Sequence, residues 1–458
     1  MSQDRPNIVF LMADDMGFGD AGCYGATKVP TPHIDRLARR GVRFADAHSA
    51  SAVCTPSRYA VLTGRYCWRG PLQRGVLGGL AQPVIEPGRP TVASVLRGRG
   101  YATAAVGKWH LGLGWRSAEG EVEPWGDGFA VDYRRPLAGG PCELGFDYFF
   151  GIAGSLDMPP YCFIENDRTV GIPSVEKDVY HPQQRRGLMT PGWRDEEVDA
   201  TFARKAVEFI EAHAAEPFFL YLTPSAPHRP CVPPDFLRGA SQAGPRGDMV
   251  CMVDWMVGEV DSALQRLGIA DHTLFLVTSD NGARLACYDG KDYGHRSCGP
   301  WRGGKADIWD GGHREPFVAR WPARLQPDTT CEATVCLADL MATAAAIAGA
   351  ELPPGAGEDS VDILPALLGR PLAPRGGVVH HSMDGTFAIR EGPWKLILGL
   401  GSGGFSDPRR IEPQPGGPQG QLYHMAEDPQ ETTNLWLDRP AVVERLATAL
   451  DGVRQRGG

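Results

Sequence analysis

Four short groups of polar residues stand directly behind apolar runs in this chain. Asp14-Asp15 follows Asn7–Ala13, Lys108-Trp109-His110 follows 101–106, Pro227-His228 follows 217–223, and Asp280-Asn281 follows Thr273–Ser279. Carboxylate and amide oxygens are hard ligands that suit Ca²⁺, or less well Mg²⁺, and no histidine or thiolate pairs at zinc spacing accompany them. Lysine and histidine in the same set can hold an anion and move a proton. Each group alone has a plainer explanation. Asp-Asp can cap a helix or a turn, Asp280-Asn281-Gly282 is ordinary turn chemistry, and a single histidine is usually a structural residue. Four such groups at the same end of four strands are harder to explain by packing.

A fifth segment, Cys54-Thr55-Pro56-Ser57-Arg58-Tyr59-Ala60-Val61-Leu62-Thr63-Gly64-Arg65, offers a nucleophile. Pro56 suits the first helical position, which places Cys54 just before a helix N-terminus, where backbone N–H groups favour an anion. The same placement fits an activated thiolate of a cysteine hydrolase. It also fits an inert buried thiol, a common state of cysteine.

These groups need a scaffold that brings strand ends together. The apolar runs alternate with amphipathic stretches at 32–40, 91–99, 196–214, 247–267 and 334–348, a pattern that predicts parallel strands joined by crossover helices. Ligands of such sheets bind beyond the carboxyl ends of the strands, where the polar groups fall. After Gly349 the composition turns rich in Pro and Gly, and the predicted division lies there: a catalytic domain over residues 1–370 and an α+β subdomain over 371–458. In the subdomain, 378–382, 386–390 and 394–398 read as a short antiparallel meander, 401–420 as loop, and 440–456 as a closing helix.

Cys54 to Arg65 resembles the type I sulfatase signature, Cys-x-Pro-Ser-Arg-x-x-x-Leu-Thr-Gly-Arg, with every specified position present. Other landmarks of that family appear in order: the Asp14-Asp15 pair, Gly107-Lys108-Trp109-His110, Pro227-His228, Ser279-Asp280-Asn281-Gly282 and Arg302-Gly303-Gly304-Lys305. The tail Leu422-Tyr423, Asp428-Pro429, Glu431 and Asn434-Leu435 is similar as well. The resemblance implies an alkaline-phosphatase-like α/β fold, with a large, mostly parallel sheet between helices and a smaller C-terminal antiparallel sheet plus helix. It also implies conversion of Cys54 to formylglycine by a formylglycine-generating enzyme. The metal ligands would be Asp14, Asp15, Asp280, Asn281 and the oxygen of residue 54. Arg58 would hold the gem-diol, Lys108 and Lys305 the sulfate oxygens, His110 would be the base and His228 the acid. Ser155, in Gly154-Ser155-Leu156-Asp157, resembles a sulfate-contacting position, with Asp157 beside it.

Between Asp280 and Lys305 the segment 293–302 is polar and aromatic. His295 and Arg302 there suit a sugar ring or a second anionic group. The stretch from Gly299 to Pro316 looks most like carbohydrate sulfatases, including the N-acetylgalactosamine-6-sulfatase-like branch. A phosphonate monoester hydrolase or phosphodiesterase of the same superfamily shares these motifs, and a non-catalytic binder of sulfated glycans is the reading outside enzymes.

The formal net charge of -9 comes without a basic block, which argues against nucleic acid as a partner. The expected partners are a sulfated small molecule or saccharide. Eleven scattered cysteines form no disulfide framework and predict mostly reduced thiols. The apolar start is too short for a signal-peptide core or a membrane span, so a cytoplasmic location is expected.

Overall fold

Alternate residues of Asn7–Ala13 are apolar in both registers, so a strand here has to be covered on both faces. The computed structural model, which describes residues 5–117, 120–285 and 289–456, covers it so. Ile8, Phe10 and Met12 enter one apolar cluster, and Val9, Leu11 and Ala13 enter another on the opposite face. The strands beside it divide the same way: Phe219, Tyr221, Leu274 and Leu276 point to the first face, and Phe218, Leu220, Phe275 and Val277 to the second. Each Val, Leu, Ile, Phe or Met among them contributes about 1.5–3 kcal/mol by leaving water.

Ten strands form the main sheet, in the order Thr329–Cys331, Val42–Phe44, Phe317–Arg320, Thr273–Ser279, Asn7–Ala13, Phe218–Thr223, Ala102–Lys108, Tyr148–Ile152, Ile164–Glu165, Arg168–Thr169. The central five, from Thr273–Ser279 to Tyr148–Ile152, are mutually parallel, and their carboxyl ends share one edge. Antiparallel pairs flank them on both sides. Helices Cys54–Thr63, Val92–Arg97 and Leu340–Ala348 cover the first face, and Pro32–Arg39, Val198–Ala212 and Gly244–Arg266 the second.

Two departures from the expected elements have local causes. The stretch predicted as one helix over 334–348 begins as a short strand, Val335–Cys336, paired with Ala47–His48. The helix starts only at Leu340, because the Asp339 carboxylate accepts from the Cys336 and Val361 N–H groups and fixes a turn. The strand Tyr148–Ile152 was not among those predicted. Its Gly151 faces Gly107, and a Cβ on Gly151 would lie 1.9 Å from the Gly107 carbonyl oxygen, so a strand interior holds the residue that usually marks a turn.

The C-terminal sheet has four antiparallel strands, Val378–His381, Phe387–Glu391, Trp394–Ile397 and Gln421–His424, one more than the meander expected. Leu446, Leu450 and Val453 of helix Pro440–Gln455 pack on one face together with Ala60 of the Cys54–Thr63 helix. That helix is buried along its whole length between the two sheets. Lys395, fully buried, adds a polar joint: its Nζ lies 2.8 Å from both Asp310 and Glu431. Lys395→Met leaves two buried carboxylates facing each other, and urea denaturation is expected to show a loss of about 3–5 kcal/mol. An unchanged midpoint would mean that the joint carries no stability. Among the described residues no helix is long and apolar enough to cross a membrane. Residues Met1 to Asp4 of the opening segment lie outside those described.

Candidate active site

The shared carboxyl edge of the parallel strands gathers the predicted groups. Asp14, Asp15, Asp280 and Asn281 are all buried, and a ligand atom of Asp14 comes within 4.8 Å of one on Asp280 and one on Asp15. The Asp15 N–H donates to Asp280 Oδ1 at 3.2 Å, and Asn281 Nδ2 donates to Asp15 Oδ1 at 2.8 Å. Three cations answer the three carboxylates: Lys108 Nζ donates to Asp14 Oδ2 at 2.7 Å, Lys305 Nζ to Asp15 at 2.7 Å, and Arg58 Nε to Asp280 Oδ2 at 2.9 Å. Arg58 Nη1 also donates to the Lys108 carbonyl, 3.1 Å away. Burial raises the Asp14 and Asp15 carboxyls, but Lys108 and Lys305 outweigh it and both stay ionised.

Two oxygens in this set lack a hydrogen-bond partner although buried, Asp14 Oδ1 and Asn281 Oδ1. Buried polar atoms without partners are uncommon and ask for a reason. A hard cation supplies one, and carboxylates with an amide oxygen are its usual donors. The pocket is also charge-balanced without an ion. A divalent ion would make it net positive, the sign that attracts an anionic ester.

Cys54 opens the Cys54–Thr63 helix, two residues ahead of Pro56, so it is the first helical residue and not the one before. Ligand atoms of Asp14, Cys54 and Asp280 lie within 4.8 Å of one another. Burial pushes the Cys54 thiol up, against the pull of Lys108 and Lys305. A raised pKa is the reverse of what an activated thiolate needs. His110 sits at φ 58° and Asp15 at φ 69°, left-handed conformations that L-residues seldom adopt. Such strain tends to cluster where function fixes a side chain. His110 Nε2 faces the Leu77 carbonyl at 2.8 Å, which assigns the proton to Nε2 and leaves Nδ1 bare and without a partner. Burial, reinforced by Lys108, holds His110 well below its ordinary pKa, so the ring is neutral. His228 Nδ1 contacts the Arg229 carbonyl at 2.9 Å, and its Nε2 lies 3.7 Å from Asp15 Oδ2.

A second histidine group, His48, His313 and His380, also brings three ring nitrogens within 4.8 Å. The His313 and His380 rings are stacked, with centroids 3.9 Å apart and 12° between planes. Imidazole binds an ion in its own plane, so stacked rings cannot both do so, and this group is packing.

The sulfatase family pattern matches residues 6–350. The chain belongs to the sulfatase family. N-acetylgalactosamine-6-O-sulfatase of Bacteroides thetaiotaomicron is 36% identical, over 99% of this chain and 94% of that protein. Arylsulfatase A of Bos taurus is 34% identical, over 98% of this chain and 86% of that protein. A solved structure from work on glycosaminoglycan metabolism by Bacteroides thetaiotaomicron matches with a TM-score of 0.88 at 34% identity, covering 99% of this chain and all of that one. The fold is thus the alkaline-phosphatase-like one expected, and the protein is a sulfuric ester hydrolase.

The sulfatase cleft above Cys54 holds about 240 Å³ and is lined by His110, Ser155, Asp157, His228 and Lys305. Ser155 and Asp157 reach it because they follow the fifth parallel strand. Ser155 Oγ and Asp157 Oδ1 are buried without hydrogen-bond partners, while Asp157 Oδ2 accepts from Arg229 Nε at 2.9 Å. His295 and Arg302 do not line this cleft. His295 Nε2 contacts Asp20 Oδ1 at 2.8 Å in a buried ion cluster with Arg246. Arg302 lies over the Trp309 ring at 3.7 Å and faces Tyr423 of the C-terminal sheet and the Glu431 carbonyl. Their nearness to Lys305 along the chain is not nearness in the pocket. The cleft holds residues that the sequence did not single out, Trp125, Arg185, Arg229, Arg284 and Phe405, which come from separate loops without a common motif.

Proposed function

We propose that this sulfatase hydrolyses a sulfate monoester of a carbohydrate, with formylglycine at position 54 as nucleophile and Ca²⁺ held by Asp14, Asp15, Asp280 and Asn281. The observation that carries the reading is the pair of unpartnered buried oxygens, Asp14 Oδ1 and Asn281 Oδ1, beside a cysteine in the full family signature. When bound, the cation would lower the pKa of an oxygen on residue 54 and offset sulfate charge. Likeness to N-acetylgalactosamine-6-O-sulfatase along nearly the whole chain supports an N-acetylhexosamine sulfate.

The chain's own residues divide the work. Lys108 and Lys305 hold sulfate oxygens, and Arg58 fixes the nucleophile against Asp280. One ionised hydroxyl of the hydrated residue 54 bonds to sulfur as the bond from sulfur to the sugar oxygen breaks. His228 gives that oxygen a proton. His110 Nδ1 then takes the proton of the second hydroxyl, the bond from carbon to the sulfate oxygen breaks, and sulfate leaves with the aldehyde restored for rehydration.

Purified protein assayed on a sugar sulfate and on a phosphate diester, with peptide mass spectrometry across residue 54, tests this directly. Preferred hydrolysis of the sulfate and a formylglycine mass are expected. EGTA should abolish activity and Ca²⁺ restore it. Preference for the diester, or full activity after calcium is removed and shown absent by elemental analysis, would sink the reading.

A further inference from the structure

The deep cations of the site are all matched by carboxylates, Lys108 by Asp14, Lys305 by Asp15 and Arg58 by Asp280. Arg229 is matched too, with its Nη2 2.8 Å from Asp157. Two guanidinium groups in the cleft are different. Arg185 and Arg284 have no carboxylate within 4.0 Å among the described residues, and each places its guanidinium carbon over an aromatic ring: Arg185 over Trp125 at 4.6 Å, Arg284 over Phe405 at 4.2 Å.

A ring beneath a guanidinium holds it by cation–π attraction without using up its N–H groups, and those groups can grip a carboxylate or sulfate with two parallel hydrogen bonds. The backbone on both sides is anchored as well. The Phe405 N–H donates to Asp307 Oδ1 at 2.8 Å, and the Arg185 N–H donates to the Asp157 carbonyl at 2.9 Å. Asp157 thereby ties the Arg185 backbone to the floor of the cleft. These backbone anchors and ring contacts restrict the two guanidinium groups before a ligand arrives, which lowers the entropy lost on binding. Trp125 is 41% exposed and offers a further apolar face to a sugar ring.

We infer that Arg185 and Arg284 form a second anion subsite, and that the substrate is an oligosaccharide carrying another carboxylate or sulfate next to the sulfated residue. This rests on the carbohydrate sulfatase reading above. Hydrolysis of a single sulfated neutral sugar uses the inner cations alone, whereas the adjoining anion reaches the outer pair. The subsite selects polyanionic chains over neutral sugars bearing one sulfate.

The test compares kcat/KM on three substrates: a sulfated monosaccharide, a sulfated disaccharide with a uronate carboxylate, and one with a second sulfate in its place. Wild-type protein should prefer one or both disaccharides, and added NaCl should narrow the preference. In R185Q/R284Q the preference is expected to fall roughly ten- to hundredfold, mainly through KM, as for lost charge-assisted hydrogen bonds. R185K/R284K should recover some of it. Loss confined to the uronate arm assigns a carboxylate, and loss confined to the other assigns a second sulfate. A wild-type enzyme that hydrolyses sugar sulfates without preference, or a preference untouched in both variants, overturns the subsite alone. Failure to hydrolyse any sugar sulfate overturns the carbohydrate reading with it.

Discussion

Cys54→Ala is expected to lower kcat by on the order of a millionfold, the scale seen when a hydrolase loses its nucleophile. The residue is buried at the start of its helix, and the change removes one sulfur atom from a site packed by Val53, Lys305 and their neighbours, so the fold should persist. Thermal unfolding checks the fold and single-turnover assays check the rest. Cys54→Ser separates two explanations of the loss. A serine hydroxyl can accept the sulfuryl group but has no second hydroxyl to expel it. One slow turnover that leaves a sulfated serine, visible as a mass increase, is therefore expected. Steady turnover by the serine variant would mean that water attacks sulfur, and the formylglycine mechanism would be wrong.

The second large effect concerns leaving-group protonation. A sugar alkoxide is a poor leaving group and needs a proton in the transition state, whereas nitrophenolate hardly does. His228→Ala is expected to cut turnover of a sugar sulfate by roughly a hundred- to ten-thousandfold, with a much smaller loss on nitrophenyl sulfate. His110→Ala should behave otherwise. With Nδ1 gone, release of sulfate from residue 54 slows, and the sulfated intermediate accumulates with either substrate. Equal defects of His228→Ala on both substrates, together with no trapped sulfate in His110→Ala, would reassign both histidines.

The sequence was most legible where backbone and side chain tell the same story. Asn7–Ala13 and Thr273–Ser279 are apolar runs followed by hard ligands, so strands with Asp14, Asp15, Asp280 and Asn281 at one end are legible from pattern, and the resemblance names those four as one ligand set. The fifth parallel strand escaped because close approach to Gly107 requires Gly151, and glycine reads as a turn. Ser155 and Asp157 therefore entered only through a resemblance, although they occupy the same edge. His295 and Arg302 show the opposite problem. Their residue types suit a saccharide, but His295 serves Asp20 and Arg302 serves Tyr423 and Glu431, partners that lie far along the chain and leave no local mark. Arg185 and Arg284 belong to the same difficulty, since a guanidinium stacked on a ring brought from another loop has no spacing to recognise.

Cys54 is 2% exposed and its helix is enclosed by both sheets. An enzyme that rewrites a side chain must surround it, and here the finished protein leaves no room to do so. The proposed conversion of Cys54 would therefore be a race against folding, decided while residues 54–65 are still an extended peptide. Ala60 of the Cys54–Thr63 helix shares an apolar cluster with Val379, Ile389 and Leu450, all supplied late in synthesis. The distance along the chain between the helix and its cover thus gives the modifying enzyme time, and a chain that folds first stays a permanent thiol.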